Sequence, residues 1–84
     1  MKRIRFTKHA SEQARERGAD EAEVREAITK GSREQAKHGR EMCRYSFAYG
    51  QPWQGKVYPI KQVAPVIKEE AEEIVVITVY TFYS

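Results

Sequence analysis

The spacing of apolar positions changes near Gly31. Before that residue they recur every three or four positions, as in helices, apart from a short alternating segment at residues 3–7. Beyond it they alternate with polar residues or form short apolar runs, as in strands. The pattern predicts the order β-α-α-β-β-β-β. This order is typical of an α+β fold in which two N-terminal helices pack on a small twisted antiparallel sheet.

Both helices are predicted from signals at their ends. A hydroxyl or carboxylate side chain can cap each start, and a glycine ends each helix. The predicted spans are Lys8 to about Arg17, between Thr7 and Gly18, and Asp20 to about Lys30, ending at Gly31. In the second helix, Glu23 completes a capping box with Asp20. The i, i+3, i+4 spacing there predicts a buried stripe of Val24, Ala27 and Ile28.

The strand predictions differ in strength. The predicted strands are residues 3–7, 32–37, 42–49, 57–67 and 74–83, with a turn at 38–40, a loop at 50–55 and a solvated acidic turn at 69–73. Pro59 and Pro65 favour breaks or an edge position for the fourth strand. The last strand is apolar on both faces, which indicates a central strand or a face that meets a partner.

Composition narrows the class of protein. The 84 residues predict a single domain, 1–84, and 40% hydrophobic with 32% charged residues is typical of a soluble globular chain. No run approaches the roughly 20 apolar residues of a membrane span, and no apolar stretch follows the basic start as a secretory signal requires. The single cysteine, Cys43, cannot form an internal disulfide, so a cytoplasmic location is expected.

The positive charge lies in the N-terminal half. The formal net charge is +3; residues 1–40 hold eleven Lys and Arg against seven Asp and Glu, and residues 41–84 hold four against five. This asymmetry permits an anionic partner without proving one. The sequence holds no Gly-rich phosphate loop, CxxC pair, HExxH or GxSxG motif, and two histidines with one cysteine do not predict a zinc site. No metal or cofactor is therefore expected.

Three places could carry chemistry. His9, Gln13 and Arg17 share one helical face and could flank a phosphate-containing substrate, although His9 could instead pack against the sheet. Arg44 projects from the strand face opposite the aromatic residues and could hold a phosphate, or be an ordinary surface arginine. Tyr80 could act as a general acid or stack on a base, or simply cap the core.

The start of the chain resembles a known family. The segments Phe6-Thr7-Lys8-His9-Ala10 and Glu16-Arg17-Gly18 are similar to the F-[ST]-x-HA-x-x-R-x-x-x-RG opening of small prokaryotic proteins catalogued as domain of unknown function 4258. The resemblance extends to a closing Ile77-Thr78-Val79-Tyr80 and so covers nearly the whole chain. Gln13 stands where the motif has its first arginine, and Arg15 faces another side of the helix.

The resemblance implies a fold and a chemistry. The family is grouped with the RelE/ParE-like toxin superfamily, in which two helices pack on a small antiparallel sheet. RelE-like relatives cleave RNA without metal, through attack of a ribose 2′-hydroxyl on the adjacent phosphate. ParE-like relatives poison a topoisomerase instead, and fold alone does not choose between these activities.

The first hypothesis is a toxin-like, metal-independent endoribonuclease (mRNA interferase type) of a toxin–antitoxin pair. His9 would be general acid or base, Arg17 and Arg44 would hold the phosphate, and Tyr80 would orient or protonate. The predicted RNA-binding residues are Lys8, Gln13, Arg15 and Thr78. RNA or the ribosome, and an antitoxin protein, are the partners that this hypothesis implies.

The alternative is a non-enzymatic toxin-fold module that acts through a protein partner, as a topoisomerase poison does, or an inactive relative. Gln13 in place of the arginine favours it. Trp53, in the predicted Gly/Pro loop, would either be exposed to bind a partner or fold back over the sheet.

Overall fold

Both helices lie on one face of a five-stranded sheet. The computed structural model describes residues 2–84. Its elements are β1 (Arg3–Phe6), α1 (Lys8–Glu16), α2 (Glu21–Lys30), β2 (Ser32–Ala36), a 3₁₀ turn (Lys37–Gly39), β3 (Arg40–Trp53), β4 (Lys56–Glu69) and β5 (Glu73–Tyr83). This confirms an α+β fold and the predicted element order. None of the helices among these residues is long and apolar enough to cross a membrane.

The sheet is mixed rather than antiparallel. Its strand order is β1-β5-β4-β3-β2, and β1 pairs with β5 in parallel, with Arg3 beside Glu73 and Phe6 beside Val76. The other neighbouring strands are antiparallel. The expectation of a purely antiparallel sheet was therefore wrong. The direction of β1 depends on the path that the chain takes through both helices, which local alternation along a strand does not report.

The predicted caps and buried stripe are confirmed. Thr7 Oγ1 accepts a hydrogen bond from the Ala10 backbone N–H at 3.0 Å, and Asp20 and Glu23 form both halves of a capping box. Val24, Ala27 and Ile28 are buried in α2. In α1 the buried residues are Ala10 and Ala14, whose small side chains let the helix lie close to β5.

The long β3–β4 hairpin departs from the prediction. Residues 50–53 continue β3 instead of forming a loop, so only Gln54 and Gly55 turn the chain. Two residues of β3, Tyr49 and Gly50, stand opposite Pro59 because the register moves from Ala48–Ile60 to Gln51–Tyr58. A bulge of this kind tolerates a proline, which lacks the N–H that a regular ladder needs.

Pro65 lies in the middle strand of the sheet, so the expected edge position was wrong, although the β3–β4 pairing does break there. It is paired with Val79 of β5. On its other side the pairing passes from Met42–Val66 directly to Tyr45–Val63. The missing N–H therefore falls where the β3–β4 ladder is interrupted, and no paired donor is lost.

Side chains of the sheet hold the end of α1. The Arg17 carbonyl accepts hydrogen bonds from Thr81 Oγ1 at 2.9 Å and Tyr83 Oη at 2.7 Å. The next residue, Gly18, has φ +82°, and a Cβ there would lie 2.5 Å from Tyr83 Oη and 2.6 Å from Trp53 Cζ3. The position therefore excludes a side chain for two separate reasons, backbone conformation and space.

We predict that Gly18→Ala lowers the free energy of unfolding by about 2–4 kcal/mol, because it adds a steric clash to the strain of a positive φ. Gly39 is a matched control, since its φ is +70° and a Cβ there would meet no atom within 4 Å. Gly39→Ala should lose only the conformational part, about 1–2 kcal/mol. Urea denaturation followed by circular dichroism measures both. Equal losses would contradict the role assigned to Tyr83 and Trp53.

Ion pairs surround the turn between β4 and β5. Glu69 binds Lys2 and Arg33, each at 2.8 Å, and Glu73 binds Arg5 at 3.0 Å. The hydrogen bond from Lys2, followed by that from Arg33, lowers the pKa of Glu69 below its ordinary value of 4.5. The hydrogen bond from Arg5 likewise lowers the pKa of Glu73. The acidic turn thus joins β1 and β2 to the sheet centre through surface charges.

These lowered pKa values predict a loss of stability in acid. The unfolded chain takes up protons at higher pH than the folded chain, so the contribution of Glu69 and Glu73 is complete above the ordinary value and falls as the pH drops through the folded values. Glu69→Gln and Glu73→Gln should each flatten the acid limb of a plot of unfolding free energy against pH. High salt should flatten it too.

Glu72→Gln is the control, because Glu72 lies in the same turn and forms no ion pair within residues 2–84. An acid limb that is unchanged in both Glu69→Gln and Glu73→Gln would contradict the assignment.

Candidate functional site

The sheet face without helices carries several of the predicted site residues. Along β5, Val79 is buried on the helix side, so the alternating residues Thr78, Tyr80 and Phe82 lie on the opposite face. Register extends that face to Gln62, which stands beside Phe82. Tyr80 is 38% exposed and Phe82 46% exposed. This surface, which we call the open face, is therefore accessible to a ligand.

Arg17 reaches the open face from the end of α1. Its Nη1 donates to the Val79 carbonyl at 2.7 Å, on the part of β5 that lies beyond its pairing with β1. Its guanidinium carbon is 4.9 Å from the centre of the Tyr80 ring, a cation–π contact. The structure thus brings together two residues that are 63 positions apart, a positive group and a phenol.

Arg44 lies on the open face, opposite Tyr45 and Phe47, as predicted. Its Nε donates to Glu34 at 2.6 Å and its Nη1 to Gln62 Oε1 at 3.0 Å. The guanidinium carbon is 5.3 Å from the centre of the Phe82 ring. Arg44 is therefore a held and half-buried group rather than a loose surface side chain.

The α1 residues divide between two flanks of the helix. His9 is exposed and, within residues 2–84, its side chain forms no hydrogen bond; Gln13 donates to Glu16 at 3.5 Å. Helical periodicity places both on the flank of Arg17. The other flank borders a cavity of about 320 Å³ lined by Phe6, Ser11, Ala14, Arg15, Ala19, Asp20 and Glu21. His9 and Gln13 thus share the flank of α1 from which Arg17 reaches the open face, whereas Arg15 does not.

Two predicted RNA contacts consequently lie apart from the others. Arg15 borders the cavity between the helices, beside Asp20 and Glu21. Lys8 is exposed and lies two helical turns before Arg15, on the same side of α1. Thr78, by contrast, is on the open face, two residues before Tyr80. A ligand on the open face would meet Thr78 but neither Lys8 nor Arg15.

Trp53 is folded back over the sheet, the second of the two arrangements that the sequence left open. Its ring stacks on Tyr83 with a centroid distance of 4.8 Å and an interplanar angle of 15°. Trp53 is half-buried, and it packs against Gly18. The reason is that residues 50–53 continue β3 and place the indole over the end of β5 rather than in a loop.

Phe82 and Gln62 are parts of the site that the sequence predictions omitted. Alternation along the last strand puts Phe82 on the same face as Tyr80, so the sequence held a signal that would have found it. Gln62 had no comparable signal, because its position depends on its pairing with Phe82 and on the hydrogen bond from Arg44.

The comparisons identify a family. The model of a family described as Domain of unknown function (DUF4258) matches residues 6–81, nearly the whole chain. The chain belongs to the DUF4258 family. No curated protein and no solved structure is significantly similar to it. In this DUF4258 protein the matched range includes Arg17, Arg44 and Tyr80 and ends one residue before Phe82.

We predict that Arg17→Ala lowers the free energy of unfolding by about 1–2 kcal/mol, since it removes the hydrogen bond to Val79 and the contact with Tyr80. Thermal or urea denaturation measures the change. Arg15→Ala is the control on the other flank of α1 and should stay within about 0.5 kcal/mol of wild type. An Arg17→Ala protein as stable as the control would show that the contact with β5 contributes no stability.

Proposed function

We propose that this protein is a metal-independent endoribonuclease of the toxin–antitoxin type, with a RelE/ParE-like fold. The observation that carries the proposal is the contact between Arg17 and Tyr80 on an exposed sheet face, 4.9 Å from guanidinium to ring. The two helices on one side of the sheet and the basic N-terminal half support it. An antitoxin protein, RNA or the ribosome, and a cytoplasmic location are implied by this function.

The proposed reaction needs no metal. A ribose 2′-hydroxyl attacks the adjacent phosphate, and the 5′-oxygen of the next nucleotide leaves. The phosphate then carries added negative charge, which guanidinium groups can stabilise. Each arginine has five N–H donors. Within residues 2–84 Arg17 uses one on Val79, and Arg44 uses two on Glu34 and Gln62, so both retain donors for a phosphate.

Proton transfer is proposed for one residue of α1 and one of the open face. His9 would take the proton from the 2′-hydroxyl, and Tyr80 would orient the phosphate or protonate the leaving oxygen. The exposure of both side chains supports these roles, because a substrate could reach them.

A specific observation also favours the alternative, a non-enzymatic module that docks a protein partner or an inactive relative. Arg44 is bound to Glu34 at 2.6 Å, and the position of the motif's first arginine is Gln13. Both features reduce the positive charge available for a phosphate. A topoisomerase-poisoning activity belongs to this second class.

The test is RNA cleavage by purified protein in the presence of EDTA, with free mRNA and with translating ribosomes. We expect cleavage by wild type, and a loss of about 10²-fold or more in His9→Ala and in Tyr80→Phe. Tyr80→Phe keeps the ring under Arg17, so it removes the hydroxyl with little effect on packing. Arg25→Ala is the control, because Arg25 also lies over an aromatic ring, Phe6, but on α2.

The same variants should be compared for growth arrest on expression. Absence of cleavage in both settings, or full activity in a His9→Ala, Tyr80→Phe double variant, would reject the ribonuclease proposal. Arrest with intact RNA and induced DNA damage would support the topoisomerase route.

A further inference from the structure

Tyr80 and Phe82 are exceptional among the aromatic residues. They are exposed, whereas the other seven Phe, Tyr and Trp residues are at least half-buried. They are two residues apart on one face of β5, so their Cα atoms are about 6.6 Å apart along the strand. Exposed rings at this spacing cover about the length of two stacked bases.

A positive group lies over each ring. Arg17 is 4.9 Å from the centre of Tyr80, and Arg44 is 5.3 Å from the centre of Phe82. Guanidinium planes can themselves stack on bases, and they also pair with phosphates. A cation therefore accompanies each ring on this surface, as a phosphate accompanies each base along a nucleic acid strand.

We infer that these four residues form a platform for two consecutive unpaired bases of an RNA strand, with Tyr80 and Phe82 as the stacking rings. We call Arg17, Arg44, Tyr80 and Phe82 the two-ring platform. The inference rests on the proposed function in taking RNA as the ligand. It adds that the strand is single, since base faces are covered by their neighbours in a duplex and only unpaired bases can stack on a protein ring.

Gln62 supplies a polar contact beside the rings. It stands opposite Phe82, and its Oε1 accepts from Arg44 at 3.0 Å. Within residues 2–84 the amide nitrogen of Gln62 donates no hydrogen bond, so its N–H groups can bind a base edge. Glu34 holds the other side of Arg44, at 2.6 Å. Because this carboxylate offsets the charge of Arg44, stacking rather than charge dominates binding at the Phe82 end.

The experiment is fluorescence anisotropy with a short, labelled 2′-O-methyl RNA strand, which cannot be cleaved by attack of its 2′-oxygen. Phe82→Ala should weaken binding by about 5- to 150-fold, the range for loss of one base–aromatic stack. Phe82→Trp, unlike Phe82→Ala, should bind with about wild-type affinity, because it keeps a stacking ring. The same strand annealed to its complement should bind at least about tenfold more weakly than the single strand.

Val57→Ala and Arg25→Ala are the matched controls. Val57 is more exposed than Phe82, at 61%, but lies near the tip of the β3–β4 hairpin, and Arg25 lies over Phe6 away from the open face. Neither should change affinity. Trp53 fluorescence and circular dichroism verify that each variant is folded. Duplex binding as tight as strand binding, or wild-type affinity in Phe82→Ala, would overturn the inference.

The outcome separates this inference from the proposed ribonuclease. Loss of affinity in Phe82→Ala without cleavage of any RNA would reject the ribonuclease and retain the two-ring platform. Cleavage by wild type, with affinity and cleavage unchanged in Phe82→Ala, would reject the two-ring platform and retain the ribonuclease.

Discussion

The carbonyl of Arg17 fixes the end of α1 to the sheet. The last carbonyls of a helix have no partner within it and must find one elsewhere. Here Thr81 and Tyr83 of β5 donate to Arg17, and Lys61 of β4 donates to the Gly18 carbonyl at 2.9 Å. Because these bonds hold the end of α1, they also decide where the Arg17 side chain emerges.

Lys61 makes this arrangement depend on α2 as well. It is only 6% exposed, and a buried ammonium needs a partner. Glu23 provides it at 2.8 Å, while the same carboxylate accepts from the Asp20 backbone in the capping box. One glutamate therefore links the start of α2, the middle strand and the end of α1. Removing Glu23 would leave the buried ammonium of Lys61 without a charged partner, which costs more than the pair itself contributes.

The helices and strands could be predicted from the sequence better than the way in which they pair and pack against one another. Caps and the buried stripe of α2 depend on residues a few positions apart, so Thr7, Asp20 and Val24 were interpreted correctly. The parallel pairing of β1 and the burial of Pro65 depend on contacts distant in sequence, which alternation cannot report. The same limit explains Trp53. The Gly and Pro content of residues 50–55 indicated a loop. A bulge opposite Pro59 instead lets β3 continue and brings the indole of Trp53 onto Tyr83.

The contrast between local signals and contacts distant in sequence changes which residues support a function. The Arg-Gly pair of the family motif has a complete structural explanation, because Arg17 bonds β5 and Gly18 fits where a Cβ would collide. Its presence alone is thus no sign of catalysis. Tyr80 and Phe82 are different, since folding does not require two neighbouring rings to remain exposed on a sheet. Within residues 2–84 the Tyr80 hydroxyl also makes no hydrogen bond, unlike that of Tyr83. The functional argument therefore depends on the exposed rings near the C-terminal end of β5 more than on the motif by which the family is recognised.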